Sequence, residues 1–189
     1  SSNNGVLIMA HGYGPGGDLD LFNSVQDVGL AYQTTLSMGM SMMTSSHVIC
    51  SVNEMINNNV DKIFVVPVSS TAHNTLVRQW NYIFNLEDSY SYSEVERIKN
   101  ENIVMLDPIS DHIYAKRIIL EYTNEISDDP SNEALIIIAH GPIDAADNKI
   151  ELALMNNIAQ YIKEYTNINT VKAFTLQDDA PKHIRERNL

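Results

Sequence analysis

Residues 6–12 read VLIMAHG, an uninterrupted apolar run that ends in His-Gly. Such a run, bounded by Gly5 and the glycine-rich residues 12–17, is typical of a strand buried on both faces of a parallel sheet. Residues 135–141 read LIIIAHG and repeat the pattern further along the chain. The repeat predicts a duplicated α/β lobe, because solenoid repeats recur at shorter intervals of about 20–50 residues.

Apolar runs and helical periodicities alternate along the rest of the chain. Further strands are predicted at residues 38–43, 63–68, 103–106, 135–139 and 171–176. Helices are predicted over residues 21–32, 46–57, 76–84, a segment capped by Ser110, 145–165, and from residue 180 onward. This order predicts an open α/β fold, with a parallel sheet and helices on both of its faces.

The acidic, proline-containing residues 127–133 read SDDPSNE and are the best candidate for a linker. We therefore expect a first α/β lobe at 1–128 and a partial, duplicated second lobe at 133–189. The net charge and the hydropathy argue against two classes of protein, those that bind nucleic acid and those that span a membrane. A net charge of −12 argues against nucleic-acid binding, and no apolar run approaches the ~20 residues of a membrane span. The single cysteine, Cys50, has no internal disulfide partner and is predicted to lie in the core.

Three of the six histidines follow predicted strands directly or in the next loop: His11, His73 and His140. The carboxyl ends of parallel strands form the ligand crevice of an open sheet. Two imidazoles from neighbouring strand ends bind divalent cobalt, nickel, iron or zinc well. The competing interpretation is that each histidine is a hydrogen-bonded packing residue. His47 and His183 are expected at the surface, and His112 as a helix cap.

Nucleotide and serine-hydrolase chemistry have weak support. Residues 12–17, GYGPGG, match neither GxGxxG nor the Gly-Lys-Ser/Thr ending of a P-loop, so no nucleotide cofactor is expected. No G-x-S-x-G motif occurs.

Together these motifs resemble a known enzyme family. VLIMAHG, followed by DKIFVVP at 61–67 and then His73, is similar to the class II tetrapyrrole chelatases, most of all the sirohydrochlorin cobaltochelatases. In the second lobe, AHGPID at 139–144 with ADN at 146–148, and TLQDDAP at 175–181, resemble the longer two-lobed members. The similarity runs from Gly5 to Arg187.

The resemblance implies ATP-independent insertion of a divalent metal into a sirohydrochlorin-type tetrapyrrole. Co²⁺ is the expected metal, with Ni²⁺ or Fe²⁺ as alternatives. By motif match, His11 and His73 are the metal-binding and catalytic pair, and His140 is the second-lobe counterpart of His11. The family implies a cytoplasmic location, although the polar start SSNN is equally compatible with a cleaved export signal.

Two differences from the family pattern keep a second hypothesis about the function open. Residues 38–43 lack the glutamate that some members carry there, and the second lobe has no counterpart of His73. The chain is therefore expected to be a truncated two-lobed protein, with a homodimer covering its open edges. A polycarboxylate substrate would need Arg78, Lys116 or Arg117 at the crevice. The alternative function is a non-catalytic carrier of metal or tetrapyrrole on the same scaffold.

Overall fold

The computed structural model describes residues 3–99 and 101–186. They fall into two compact units divided after Pro108. The first unit contains a strand, two short helices, and then strands and helices in alternation: β1 (Asn4–Ala10), α1 (Gly14–Ser24), α2 (Gln26–Ala31), β2 (Gln33–Met38), α3 (Ser46–Asn57), β3 (Lys62–Pro67), α4 (Thr75–Ile83) and β4 (Ile103–Met105).

The strands of the first unit form one parallel sheet in the order β2-β1-β3-β4. The predicted α/β class with an open parallel sheet flanked by helices is confirmed. Strand β1 is central, and the chain leaves it first toward β2 on one side and then returns to β3 on the other. The boundary between β1 and β3 is the point where the strand order reverses, which is where open α/β sheets bind ligands.

The core of the first unit lies between the sheet and helices α3 and α4. Leu7 and Met9 of β1 share it with Ile63 and Val65 of β3, since alternate residues of a strand face the same side. The helices contribute fully buried side chains at helical spacing, among them Val48, Val52, Met55, Val77, Trp80 and Ile83. The predicted core position of Cys50 is wrong: its thiol is exposed, on the side of α3 away from Val48 and Val52.

Two local predictions in this unit are wrong. The second strand runs from Gln33 to Met38, not over 38–43. As an edge strand it tolerates the polar sequence QTTLSM, whereas the methionine-rich residues that follow form a loop. The single helix expected over 21–32 is two helices. The first begins at Gly14 with a proline in its first turn, and Asp18 and Asp20 lie inside it and not at its cap.

The second unit contains α5 (Ile113–Ile126), a short 3₁₀ turn (Pro130–Asn132), β5 (Ala134–Ala139), α6 (Ala145–Tyr165), β6 (Thr170–Thr175) and α7 (Lys182–Arg185). Strands β5 and β6 pair in parallel, α6 packs on β6, and α5 packs on α6. Helix α5 thus belongs to the second unit by its contacts, whereas the sequence assigned it to the first lobe. The duplication boundary at 128–133 stays a prediction.

The predicted linker is an ordered turn. The carboxylate of Glu133 accepts hydrogen bonds from Ser127 Oγ at 2.5 Å and from the backbone N–H groups of Asp128 and Asp129 at 3.1 and 2.9 Å. These bonds, that of Ser127 first, lower the pKa of Glu133. Helix α5 is capped not by Ser110 but by His112, whose Nδ1 accepts from the Tyr114 N–H at 3.4 Å. The capping role expected of His112 is confirmed.

None of the helices in the described part of the chain has the length and apolar composition needed to cross a bilayer.

Candidate functional site

Three loops meet at the carboxyl end of β1. The backbone N–H of Gly39, just after β2, donates to the carbonyl of Ala10 at 3.0 Å. The N–H of Val68, just after β3, donates to the carbonyl of Met9 at 2.8 Å. The ladder hydrogen bonds of the sheet therefore continue past the strand ends and hold the neighbouring loops against the end of β1. This edge is the candidate functional site.

His11 is the first residue after β1, and its side chain is exposed. Its Nδ1 lies 2.9 Å from the carbonyl oxygen of Gly12. Because a carbonyl oxygen only accepts hydrogen bonds, Nδ1 is the protonated nitrogen in this contact, and in the neutral ring Nε2 then carries the lone pair. Metal-binding histidines are commonly oriented in this way, with the second nitrogen donating to a backbone carbonyl. His11 therefore presents Nε2 as a ligand or proton acceptor.

His73 lies in the loop between β3 and α4 and is half-buried. Asn74 organises this loop: its Nδ2 donates to Ser69 Oγ at 2.6 Å and to the Thr71 carbonyl at 2.7 Å. Its Oδ1 accepts from the Val77 N–H at 2.9 Å and caps α4. The loop conformation that carries His73 is thus fixed at both the strand end and the helix start. The Ser-x-x-x-x-Asn spacing gave no signal in the sequence.

Adjacent strands carry His11 and His73 toward the same edge. His11 follows β1 directly, and His73 follows β3, the neighbour of β1 across the reversal of strand order. The sequence predicted both strands and hence this common edge.

Tyr13 and Asp18 belong to the same edge, and sequence reasoning assigned them no role there. The Tyr13 N–H donates to Asp18 Oδ1 at 2.7 Å, and the Tyr13 hydroxyl lies 3.5 Å from the Val68 carbonyl. The side chain therefore connects the loop after β1 with the loop after β3. Partial burial, and secondly the charge of Asp18, raise the pKa of the Tyr13 hydroxyl. It stays protonated at neutral pH as a hydrogen-bond donor.

Two of the three cations expected to attract an acidic substrate, Arg78 and Lys116, are paired with carboxylates. Arg78 on α4 lies 3.6 Å from Glu87, and Lys116 on α5 lies 4.0 Å from Asp111. Within residues 3–99 and 101–186, no three His, Cys, Asp or Glu side chains converge as a cation-binding group.

His140 occupies the corresponding position in the second unit, directly after β5. Its Nδ1 lies 2.9 Å from the carbonyl oxygen of Gly141, as in His11. The difference from His11 is at Nε2, which in His140 lies 3.4 Å from Asp179 Oδ2. Both ring nitrogens of His140 thus face acceptor oxygens, so this imidazole is not arranged as an open ligand.

No protein-family model matches the chain, and no curated protein is similar enough to count as a match.

Proposed function

We propose that the edge formed by the loops after β1 and β3 is the site of a metal chelatase. In this proposal His11 and His73 act on a divalent cation, Co²⁺ first, with Ni²⁺ or Fe²⁺ as alternatives. The acceptor is a sirohydrochlorin-type tetrapyrrole. The observation that carries the proposal is the Nδ1 contact of His11 with the Gly12 carbonyl, which directs a lone pair at Nε2 to an exposed strand end.

Metal insertion needs a weak ligand and a base. The cation enters the macrocycle as two pyrrole N–H protons leave, so charge balances without ATP. A neutral imidazole serves both needs, because its free nitrogen donates to a metal before insertion and accepts a proton afterwards. His11 Nε2 is suited to holding the cation or to accepting a pyrrole proton. His73 is proposed for whichever of these two roles His11 does not take.

The open edge also suits a flat substrate. Tyr13 in the loop after β1 and Met40 in the loop after β2 are both about half exposed. Aromatic and thioether side chains form adaptable contacts with a planar conjugated ring. The Tyr13 hydroxyl, whose single proton points to the Val68 carbonyl at 3.5 Å, holds this ring against the loop after β3.

The test is an insertion assay on the full chain with sirohydrochlorin and Co²⁺, followed by the change in tetrapyrrole absorbance. Wild type should exceed the spontaneous rate, and His11→Ala and His73→Ala should each lower the catalysed rate by about 100-fold. His183→Ala is the matched control, since this exposed histidine lies on α7, and it should stay within about twofold.

A wild-type rate equal to the spontaneous rate, or full activity in His11→Ala, would contradict the proposal. Tight tetrapyrrole or Co²⁺ binding without insertion would instead identify the chain as a carrier.

A further inference from the structure

One face of the sheet in the second unit is apolar and exposed. Alternate residues of β5 and β6 form it, because residues paired in a parallel sheet, such as Ile138 and Phe174, point to the same side. Ile136, Ile138 and Phe174 are 58%, 60% and 49% exposed. The β5–β6 face consists of Ala134, Ile136 and Ile138 of β5, Thr170, Lys172 and Phe174 of β6, and Leu176, the first residue after β6.

The opposite side of the same two strands is covered. The residues between those of the β5–β6 face, among them Ile137 and Val171, are less exposed, and α6 packs on β6 with Met155, Ile158 and Ile162 buried. Parallel strands are normally buried on both sides, because crossover helices cover both faces of the sheet. The four large apolar side chains of the β5–β6 face, each about half exposed, leave on the order of 400 Å² of apolar surface open. A patch of that size is commonly an interaction site.

The internal repeat shows what covers the equivalent face in the first unit. In the pair VLIMAHG and LIIIAHG, Leu7 and Met9 occupy the positions of Ile136 and Ile138. Both residues of β1 are buried, and α3 packs on β1 and β2. The buried side chains of α3 follow the spacing i, i+4 and i+7, and they are Val48, Val52 and Met55. The β5–β6 face is therefore a surface of the kind that one amphipathic helix covers.

Charge on the β5–β6 face favours a partner other than a second copy of the chain. Lys172 is paired in register with Ile136 and is the charged member of this face. Two identical faces packed together would bring two ammonium groups and no carboxylate into an apolar contact, and a buried charge without a partner is costly. A helix with a carboxylate beside its aliphatic residues would instead form an ion pair with Lys172.

Side-chain size on β6 restricts the helix further. In the first unit the residue paired with Met9 is Ser37, a small buried residue that leaves room for the large side chains of α3. In the second unit the residue paired with Ile138 is Phe174. A helix with large side chains throughout its apolar side would be overpacked against this ring. The partner helix therefore needs a small residue, such as alanine, opposite Phe174.

We propose that the β5–β6 face is the docking surface for one amphipathic helix of a partner protein, which lies on β5 and β6 as α3 lies on β1 and β2. The helix carries aliphatic residues at i, i+4 and i+7, a small residue opposite Phe174 and a carboxylate within reach of Lys172. In recognition of this kind the aliphatic residues supply the affinity and the charged pair fixes the orientation. The proposal does not depend on the chemistry proposed for His11 and His73.

The experiment is titration of a fluorescently labelled peptide with the full chain, followed by fluorescence anisotropy. The peptide is an alanine-rich helix with leucine at i, i+4 and i+7 and glutamate at i+8. The wild type should bind it with a Kd below about 100 μM. Ile138→Thr and Phe174→Thr should each weaken binding by about tenfold or more, since each removes an apolar contact at the centre of the face. Threonine is β-branched and suits a strand, so both variants should fold.

Leu30→Thr is the matched control, because Leu30 is an 86% exposed apolar residue on α2 of the first unit, and it should bind within about twofold of wild type. Lys172→Glu should weaken binding by about threefold, and a peptide with lysine in place of glutamate should restore it. Absence of binding by wild type that circular dichroism shows to be folded, an equal loss in Leu30→Thr, or no rescue by the lysine peptide would overturn the proposal. Sedimentation showing a wild-type dimer that Ile138→Thr dissociates would also overturn it, because a second copy would then occupy the face.

Discussion

The two histidine turns of the molecule, after β1 and after β5, are nearly identical in local geometry. In each, the histidine Nδ1 lies 2.9 Å from the carbonyl oxygen of the next residue, Gly12 or Gly141. Both glycines have positive φ, 95° and 77°. Each preceding strand also accepts a 3.0 Å hydrogen bond at its last carbonyl from the neighbouring chain segment. A seven-residue repeat thus reproduces one turn twice.

The surroundings of the two strands are different. Leu7 and Met9 of β1 are 0% and 1% exposed, whereas their counterparts Ile136 and Ile138 in β5 are 58% and 60% exposed. Strand β1 has a partner on each side, while β5 pairs with β6 alone in the described part of the chain. The apolar run therefore specifies a strand but not its burial.

The histidines differ in the same way. His11 keeps Nε2 toward the exposed strand end, whereas His140 directs Nε2 at the Asp179 carboxylate. The partner of the ring comes from the segment after β6, far from the repeat in sequence. Identical turns thus acquire different chemistry from non-local residues.

The largest expected effect tests the difference in burial. Leu7→Ala should lower the free energy of unfolding by about 3 kcal/mol, because it leaves a cavity in a packed core. Ile136→Ala should cost less than about 1 kcal/mol, since it removes an exposed side chain. Urea denaturation measures both, with Trp80 fluorescence reporting the first unit and far-UV circular dichroism the whole chain. An equal cost for Ile136→Ala would mean that this face of β5 is covered in solution, as in the expected homodimer.

The second test compares the two histidines in the proposed reaction. His140→Ala should leave cobalt insertion within about twofold of wild type, against the loss of about 100-fold expected for His11→Ala. The reason is that both nitrogens of the His140 ring already face acceptor oxygens. Initial rates of cobalt insertion at equal protein concentration measure both losses. Equal losses in the two variants would show that the turns are functionally equivalent.

The third test compares the cost of alanine at Gly12 and at Gly141, the glycines of the two histidine turns. Alanine at either position is strained by positive φ, at a cost of about 1 kcal/mol. A Cβ at Gly141 would in addition lie 2.7 Å from Thr175 Cβ, whereas the nearest atom at Gly12 is Asp18 Oδ1 at 3.8 Å. Gly141→Ala should therefore cost about 2 kcal/mol and Gly12→Ala about 1 kcal/mol. Thermal denaturation of both variants measures the order, and a larger loss for Gly12→Ala would contradict the packing of the second turn.

The smallest expected effect is a pH dependence confined to the first unit. Burial holds the pKa of His47 below its ordinary value of 6.5. The unfolded chain therefore binds a proton more tightly than the folded unit just below pH 6.5, and the free energy of unfolding falls as pH is lowered through that window. Urea denaturation followed by Trp80 fluorescence at about pH 8 and about pH 5.5 measures the decrease. His47→Gln should reduce the difference, and an unchanged difference would assign it to other groups.

Much of both units was predictable from local pattern. The apolar runs at 6–10 and 63–68 and the helical spacing over 46–57 and 145–165 match observed elements closely. The predictions failed where tertiary contacts override the local structural preference of the sequence. The polar sequence of β2 forms a strand because it lies at the sheet edge, and the acidic turn at 127–133 is ordered because Glu133 accepts its N–H groups.

The candidate site was predictable only in its histidines. His11 and His73 stand out because polar residues that can bind metals follow buried strands. Tyr13, which connects the loops after β1 and β3, and the contact between Ser41 Oγ and His47 Nε2 carried no recognisable spacing. The Tyr13 contact arises where the loops after β1 and β3 meet, and the Ser41–His47 contact depends on the conformation of one loop, which no recognised motif encodes.

The sequence by itself determined that parallel strands alternate with helices and that two of those strands end in the same His-Gly turn. Backbone conformation and hydrogen bonding between nearest residues are sufficient for that, so the repeat forms the same turn wherever it occurs. Only the tertiary structure decided which repeat lies in a core and which imidazole faces Asp179. Burial and side-chain partners depend on segments distant in sequence, whose positions are fixed only when the sheet and its helices pack.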